Sequence, residues 1–111
     1  MWLLDVNLPN GLGRFLHGRG VPCDTTARRG WGDLTNGVLA ETAFGEGFRV
    51  ILTRDRLFGT SAHRALAMLP ELAIVVVTLP QAREEVYLAE FAARWHRKPI
   101  EPVAGSVVEW P

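Results

Sequence analysis

Two aspartates in this chain stand where carboxylates do chemistry. Asp5 follows the short apolar run Trp2-Leu3-Leu4, and Asp55 follows Val50-Ile51-Leu52-Thr53 fifty positions later. If both runs are neighbouring strands of one parallel sheet, the two carboxylates leave strand ends only ~5 Å apart. Ionised carboxylates that close in a partly dry crevice repel, so the pair is expected to hold a proton or to share a cation. Mg²⁺ and Mn²⁺ suit such a pair: they are hard ions bound through one or two carboxylates, water and substrate phosphate. The corresponding chemistry is activation of water against a phosphodiester. Taken singly, each aspartate is equally well read as a turn residue or a helix cap. Their meeting at one point carries the functional reading.

Other polar residues fall around the same point. Asn7 either caps the helix after the first strand or hydrogen-bonds a water on a metal. Asn36, at the start of a later helix, is either its cap or an amide directed into the crevice. Asp33, in a glycine-flanked loop, suits a turn, and Glu41, one turn into that helix, suits a solvated face. They are also the only nearby acids that could add a third carboxylate. Thr53 and Thr78 end strands, where threonine is ordinary, with hydroxyls that could face the crevice. Arg54 and Arg56 flank Asp55, placed to pair with the acids or to grip a phosphate with a guanidinium fork. His17, His63 and His96 have no spacing that suggests a metal or a relay and read as surface residues. Trp31 reads as a cover for the sheet edge in preference to a base-stacking platform.

The elements that must position these residues alternate strictly. Trp2–Leu4 reads as a first strand. Leu8, Leu12, Phe15 and Leu16 then recur at helical spacing, with Pro9 in the first turn and Gly18 and Gly20 at the stop. Val21–Thr26 is a second, weaker strand, and Arg28–Leu34, with Gly30, Gly32 and Asp33, reads as a loop. Thr35–Glu46 is a second helix capped by Thr35 or Asn36 and closed by Gly47, before the third strand Val50–Thr53. Ala62, Ala65, Leu66 and Leu69 give a third helix stopped by Pro70. Leu72–Thr78, apolar on both faces, suits a central strand. Leu88, Phe91, Ala92 and Trp95 give a fourth helix, and Val103–Trp110 a last, edge strand. This alternation predicts one α/β domain over residues 1–111 with a mainly parallel five-stranded sheet. Right-handed crossovers restrict the topology, and if strand two lies on one side of strand one and strand three on the other, the order is 2-1-3-4-5. Its reversal falls between strands one and three, beyond whose C-terminal ends ligands bind in such sheets.

Composition fits this reading. The chain has 111 residues, 48% hydrophobic and 22% charged, enough for a single packed core and unlike a disordered tail, coiled coil or collagen. Its single cysteine, Cys23, makes no internal disulfide. No apolar run has membrane-spanning length, and Asp5 interrupts the N-terminal apolar stretch, so neither a membrane span nor a signal peptide is expected, and a cytoplasmic protein is. The 12 Lys+Arg balance 12 Asp+Glu, so nucleic acid would be met by a local patch and not by net charge. All the basic residues but Lys98 are arginine, the better type for phosphate forks.

Three segments resemble a known family. Leu4-Asp5-Val6-Asn7-Leu8-Pro9 resembles the L-D-E-N-L-P opening of a bacterial PIN-like family, small relatives of the VapC toxin nucleases. Gly30-Trp31 through Leu34-Thr35-Asn36-Gly37-Val38-Leu39 is similar to its G-W…L-x-N-G-x-L, and Gly47-Phe48-Arg49-Val50-Ile51-Leu52-Thr53-Arg54-Asp55 to its G-F-x-V-x-L-T-x-D. The three occur in the family's order and cover the first half of the chain. The resemblance implies a three-layer α/β/α sandwich and Mg²⁺- or Mn²⁺-dependent cleavage of RNA, with a small antitoxin as protein partner. Asp5 and Asp55 would be metal ligands, with Asn7 and Asn36 as supporting polar residues. Val6 stands where the family has a glutamate, so one of its usual carboxylates is missing, and Glu41 or Asp33 would have to supply a third.

Other classes of function fit parts of the pattern. A catalytically degenerate PIN-like module would bind RNA or protein without cutting. A receiver-like phosphoacceptor would use Asp5, Asp55 and Thr78, but it needs an adjacent acid pair after strand one and a lysine after strand five. Here Leu4 and Val6 flank Asp5, and Lys98 precedes that strand. A non-catalytic homodimer would use Trp95 and Trp110 as exposed aromatic surface.

Overall fold

Short β-branched and leucine-rich runs make the strands. In a computed structural model describing residues 1–111, these are β1 (Trp2–Leu4), β2 (Cys23–Thr25), β3 (Val50–Thr53), β4 (Ala73–Val77) and β5 (Val107–Trp110). The helices are α1 (Leu12–Gly18), α2 (Thr26–Arg29), α3 (Asn36–Gly45), α4 (Phe58–Ser61), α5 (His63–Ala67) and α6 (Glu84–Arg97). All five strands are parallel in the order β2-β1-β3-β4-β5, as the alternation predicts. Leu4 pairs with Thr25 on one side and Leu52 on the other, so β1 and β3 end together. Every residue of β3 and β4 is buried, which is why these strands read as unbroken apolar runs.

Alternation along the strands sends side chains to two cores. Leu4, Leu52, Val75 and Val77 pack with Leu12 and Leu16 of α1 and with Tyr87, Phe91 and Trp95 of α6. Leu3, Ile51, Ile74 and Val76 pack with Leu39, Ala40 and Ala43 of α3, Phe58 of α4 and Ala65 of α5. The result is three layers: α1 and α6, the sheet, and α3 to α5. The winding departs from expectation in one place. The steps β3 to β4 and β4 to β5 run in the same direction across the sheet, yet their helices lie on opposite faces. The last crossover therefore has the opposite hand to the one before it, and the right-handed rule does not hold for both. Aromatic contacts seat α6 against α1: Phe15 meets Phe91 at 5.7 Å and Trp95 at 6.1 Å between ring centroids.

Several boundaries differ from the sequence reading. Helix α1 begins at Leu12, because Pro9 lies in a turn whose carbonyl accepts the Leu12 N–H at 3.1 Å. The segment expected as a loop from Arg28 opens inside α2, whose start is capped by Thr25 Oγ1 accepting the Arg28 N–H at 3.0 Å. The third predicted helix, through Ala62 and Leu69, is the short α5, and a further turn of helix before it, α4, is not predicted by that pattern; the two are separated at Ala62. The last strand starts at Val107, not Val103, since Ser106 N–H turns back to the Val103 carbonyl and Gly105 adopts φ +76°. Trp95 and Trp110 are buried, 9% and 5% exposed, so they offer no aromatic surface for a homodimer. Trp31 covers the sheet edge, its ring edge-on to Phe48 at 5.9 Å. The three histidines are exposed, and no helix is long and apolar enough to cross a membrane.

Candidate active site

The parallel β1–β3 pair delivers its two following loops to one end of the sheet, and the ladder runs one residue further, Asp5 N–H donating to the Leu52 carbonyl at 2.9 Å. By alternation, Thr53 falls on the α3 face of the sheet and Arg54 on the α6 face. Thr53 is fully buried, and its hydroxyl is the hub of the site. It donates to Asp5 Oδ2 at 2.7 Å and accepts the Asp55 N–H at 3.0 Å, so one oxygen ties both aspartates together. Asp5 Oδ1 accepts the Val6 N–H at 2.8 Å. Asp55 Oδ1 accepts the Leu57 N–H at 2.9 Å in a local turn, and Asp55 Oδ2 accepts from Asn36 Nδ2 at 2.9 Å. The Asn36 amide also donates to Ser61 Oγ at 2.6 Å, and that hydroxyl lies within hydrogen-bonding reach of the Leu57 carbonyl at 3.0 Å.

Asn36 is therefore not a cap. Thr35 occupies that position without a side-chain bond, and the Asn36 amide reaches across to Asp55. Asn7 caps nothing either: its Oδ1 accepts the Arg54 N–H at 3.1 Å, and its Nδ2 stands 3.4 Å from Thr53 Oγ1, joining the loops after β1 and β3. Thr53, expected as an ordinary strand-end threonine, is the most connected side chain here.

Other expected residues stay away. Asp33 and Glu41 are exposed and hydrogen-bond to neither aspartate, and no cluster of three His, Cys, Asp or Glu side chains forms that could hold a metal. Neither Arg54 nor Arg56 pairs with an acid; the ion pairs are Asp24 with Arg28 and Arg29, Arg83 with Glu85, and Arg94 with Glu90. The Arg54 guanidinium instead lies over the Tyr87 ring, 5.6 Å from its centroid. Thr78 directs its hydroxyl to the Pro111 carbonyl at 3.4 Å and takes no part in the aspartate network. Sequence reasoning missed Ser61 and Tyr87. Nothing local marks Ser61, whereas Tyr87 begins the stripe Tyr87, Phe91, Trp95 at four-residue spacing.

Two clefts flank the aspartates. One, of about 500 Å³ on the α3 side, is lined by residues including Asn36, Glu41, Ser61 and His63. The other, of about 360 Å³ on the α6 side, is lined by residues including Asn7, Arg54, Glu84 and Tyr87. Burial pushes the Tyr87 phenol above its usual range, the nearby Arg54 charge pulling against it.

The site brings together two carboxylates, short of a three-acid cluster. An ionised carboxylate offers about four acceptor sites, and the protein occupies two on each aspartate, so oxygen lone pairs remain on both. Thr53 and Asn36 hold the two carboxylates in place, the outer hydrogen bonding that metal-ligating carboxylates use. No family model matches the chain, and neither a curated protein nor a solved structure does.

Proposed function

We propose that this protein is a Mg²⁺- or Mn²⁺-dependent ribonuclease of the PIN-like type. What supports the reading most is the convergence of Asp5 and Asp55 on the single hydroxyl of Thr53, at the C-terminal edge of two neighbouring parallel strands. Asp5 and Asp55 would hold the ion, which when bound supplies charge stabilisation to a phosphodiester under attack by water. Thr53 orients Asp5, and Asn36, braced by Ser61, orients Asp55. With Val6 in place of a third carboxylate, water and the RNA phosphate itself must complete the ion's surroundings, so affinity for the ion rises when substrate is present. The resemblance to toxin nucleases adds a small antitoxin as the protein partner of this reading.

The test pairs two measurements on wild type, Asp5→Asn and Asp55→Asn: thermal stabilisation by Mn²⁺, and Mn²⁺-dependent cleavage of labelled single-stranded RNA. The expected result is cleavage and stabilisation in the wild type and loss of both in either folded variant. A folded wild type that neither cuts RNA nor gains stability from Mn²⁺ refutes the proposal. RNA bound but never cut would favour the degenerate binding module, the reading that Val6 and the exposed Glu41 and Asp33 support.

A further inference from the structure

The groups that hold Asp55 form a closed circuit. Leu57 N–H donates to Asp55 Oδ1 at 2.9 Å, and Ser61 Oγ donates to the Leu57 carbonyl at 3.0 Å. Asn36 Nδ2 directs one hydrogen to Ser61 Oγ at 2.6 Å and the other to Asp55 Oδ2 at 2.9 Å, which completes the ring. The four bonds join the loop after β3, the start of α3 and the length of α4. Hydrogen bonds linked in this way strengthen one another, so the ring weakens as a unit when one member is lost.

The same ring spans the cleft of about 500 Å³ on the α3 side. One wall of that cleft is α3, with Asn36, Val38 and Glu41, and the other is α4–α5, with Ser61, His63 and Arg64. Asn36 to Ser61 is the one side-chain hydrogen bond between the two walls. The second wall is lightly built. Helices α4 and α5 have four and five residues, neither start has a side-chain cap, and they part at Ala62. Helices this short depend on packing for their stability. Their buried side chains are Phe58, Ala62 and Ala65, of which only Phe58 is large, while Leu57 and Met68 at the two ends are 67% and 79% exposed. Against α3 the contact is between small residues: a Cβ added to Gly37 would lie 3.9 Å from Ala65 Cβ. Ser61 is exposed, so water can replace its bond to Asn36. Few large apolar contacts and solvent-accessible hydrogen bonds mark segments that open locally.

We infer that α4–α5 is a lid on this cleft, latched by the Asn36–Ser61 bond, and that its closure fixes the Asp55 carboxylate. When the lid swings away from α3, Asn36 loses the brace that aims its amide, and Asp55 Oδ2 loses a fixed donor. A group that prefers the ordered carboxylate favours the closed lid by its differential affinity for that state. Taking Mg²⁺ as that group rests on the proposed function; the lid itself does not.

The test is hydrogen exchange of the whole, metal-free protein, followed amide by amide by NMR. The Ala62 and Leu66 N–H groups, bonded to the Phe58 and Ala62 carbonyls at 2.9 Å, report on the lid, and amides of β3 and β4 report on the whole fold. The lid amides should exchange at least about tenfold faster than the sheet amides. Phe91→Leu, in the core on the other face, should speed the sheet amides and leave the lid amides unchanged, because lid opening does not disturb α6. Ser61→Ala should speed the lid amides about twofold to tenfold. A disulfide between Gly37→Cys and Ala65→Cys, on a Cys23→Ser background, suits the 3.9 Å spacing and carries the test if Ser61→Ala fails to fold. Its oxidation should slow the lid amides to the rate of the sheet, and reduction should release them. Lid amides as slow as the sheet in the wild type overturn the inference, as does a Phe91→Leu variant that speeds both sets alike. Lid exchange unchanged by folded Ser61→Ala or by the disulfide also overturns it. Mg²⁺ should slow the lid amides in the wild type and not in Asp55→Asn. Mg²⁺ that raises the melting temperature without slowing the lid overturns the link to the carboxylate, whereas Mg²⁺ with neither effect refutes the metal reading alone.

Discussion

Replacing Thr53 by valine keeps the shape of a fully buried strand residue and deletes one oxygen. That oxygen donates to the Asp5 carboxylate at 2.7 Å, and a hydrogen bond to a charged partner contributes about 1.5–3 kcal/mol. It also accepts the Asp55 N–H at 3.0 Å, which adds about 1 kcal/mol. Valine saves the cost of burying a hydroxyl, about 1 kcal/mol by mutational measures. The net loss is about 1.5–3 kcal/mol. For 111 residues the unfolding entropy is about 0.23 kcal/mol/K, so the melting temperature should fall by about 6–13 °C. The informative control is Thr53→Ser, which keeps the hydroxyl and loses a buried methyl, about 1 kcal/mol or about 4 °C. Calorimetry with and without Mn²⁺ separates the two effects. Thr53→Val should lose most of the Mn²⁺-induced stabilisation, because Asp5 is no longer held, and Thr53→Ser should retain it. If Thr53→Val melts within about 3 °C of wild type, or responds to Mn²⁺ as wild type does, the hydroxyl does not organise the pair.

Two further predictions concern the scaffold. Gly105 combines φ +76° with a position where an added Cβ would lie 2.9 Å from the Pro70 carbonyl oxygen, so Gly105→Ala should destabilise by at least about 1–3 kcal/mol in chemical denaturation. Gly18→Ala, at a helical glycine with nothing within 4 Å, should be neutral or stabilising, and the opposite ranking would refute the geometry. Burial works to raise the Asp24 carboxyl, but the hydrogen bonds from Arg29 and the Thr25 amide and the charges of Arg28 and Arg29 outweigh it and hold the group below its usual range. A lowered folded-state value stabilises above the unfolded value and is lost as pH falls through the folded one. Asp24→Asn should therefore be less stable than wild type at neutral pH, with the gap closing only below pH ~4; a gap independent of pH would disprove the role.

Legibility in the sequence followed the strength of each local pattern. Val50–Thr53 and Ala73–Val77 are buried on both faces and stand out as apolar runs, and strict alternation then implies a parallel sheet, whose order follows once strands two and three are set on either side of strand one. The short helices were less visible. Ala62 breaks α4 from α5 without a glycine or proline to mark it, and Thr26–Arg29 is a single turn whose signal is the Thr25 cap. Asp5, Asp55 and Asn36 were legible because strand ends and a helix start fix where they emerge. The role of Thr53 was underrated, since its connections depend on which side chains lie across the β1–β3 junction. Asp33 and Glu41 were candidates by proximity in the chain, and the fold leaves them in solvent. Trp95 and Trp110 look like surface only if the C-terminal half is read one element at a time. Packed together they lie 6.4 Å apart between centroids, inside one aromatic core.

The reversed hand of the final crossover has a consequence for how the molecule tolerates change. A helix of ordinary handedness after β4 would lie over the alanine-rich layer, and the turn carrying Asn7 would then border open water with no opposing wall. The aromatic residues of α6 thus act as a topological choice, selecting which side of the sheet becomes concave. Trimming Phe91 or Trp95 removes more than packing area, because it weakens the preference that creates a hollow beside the acidic pair.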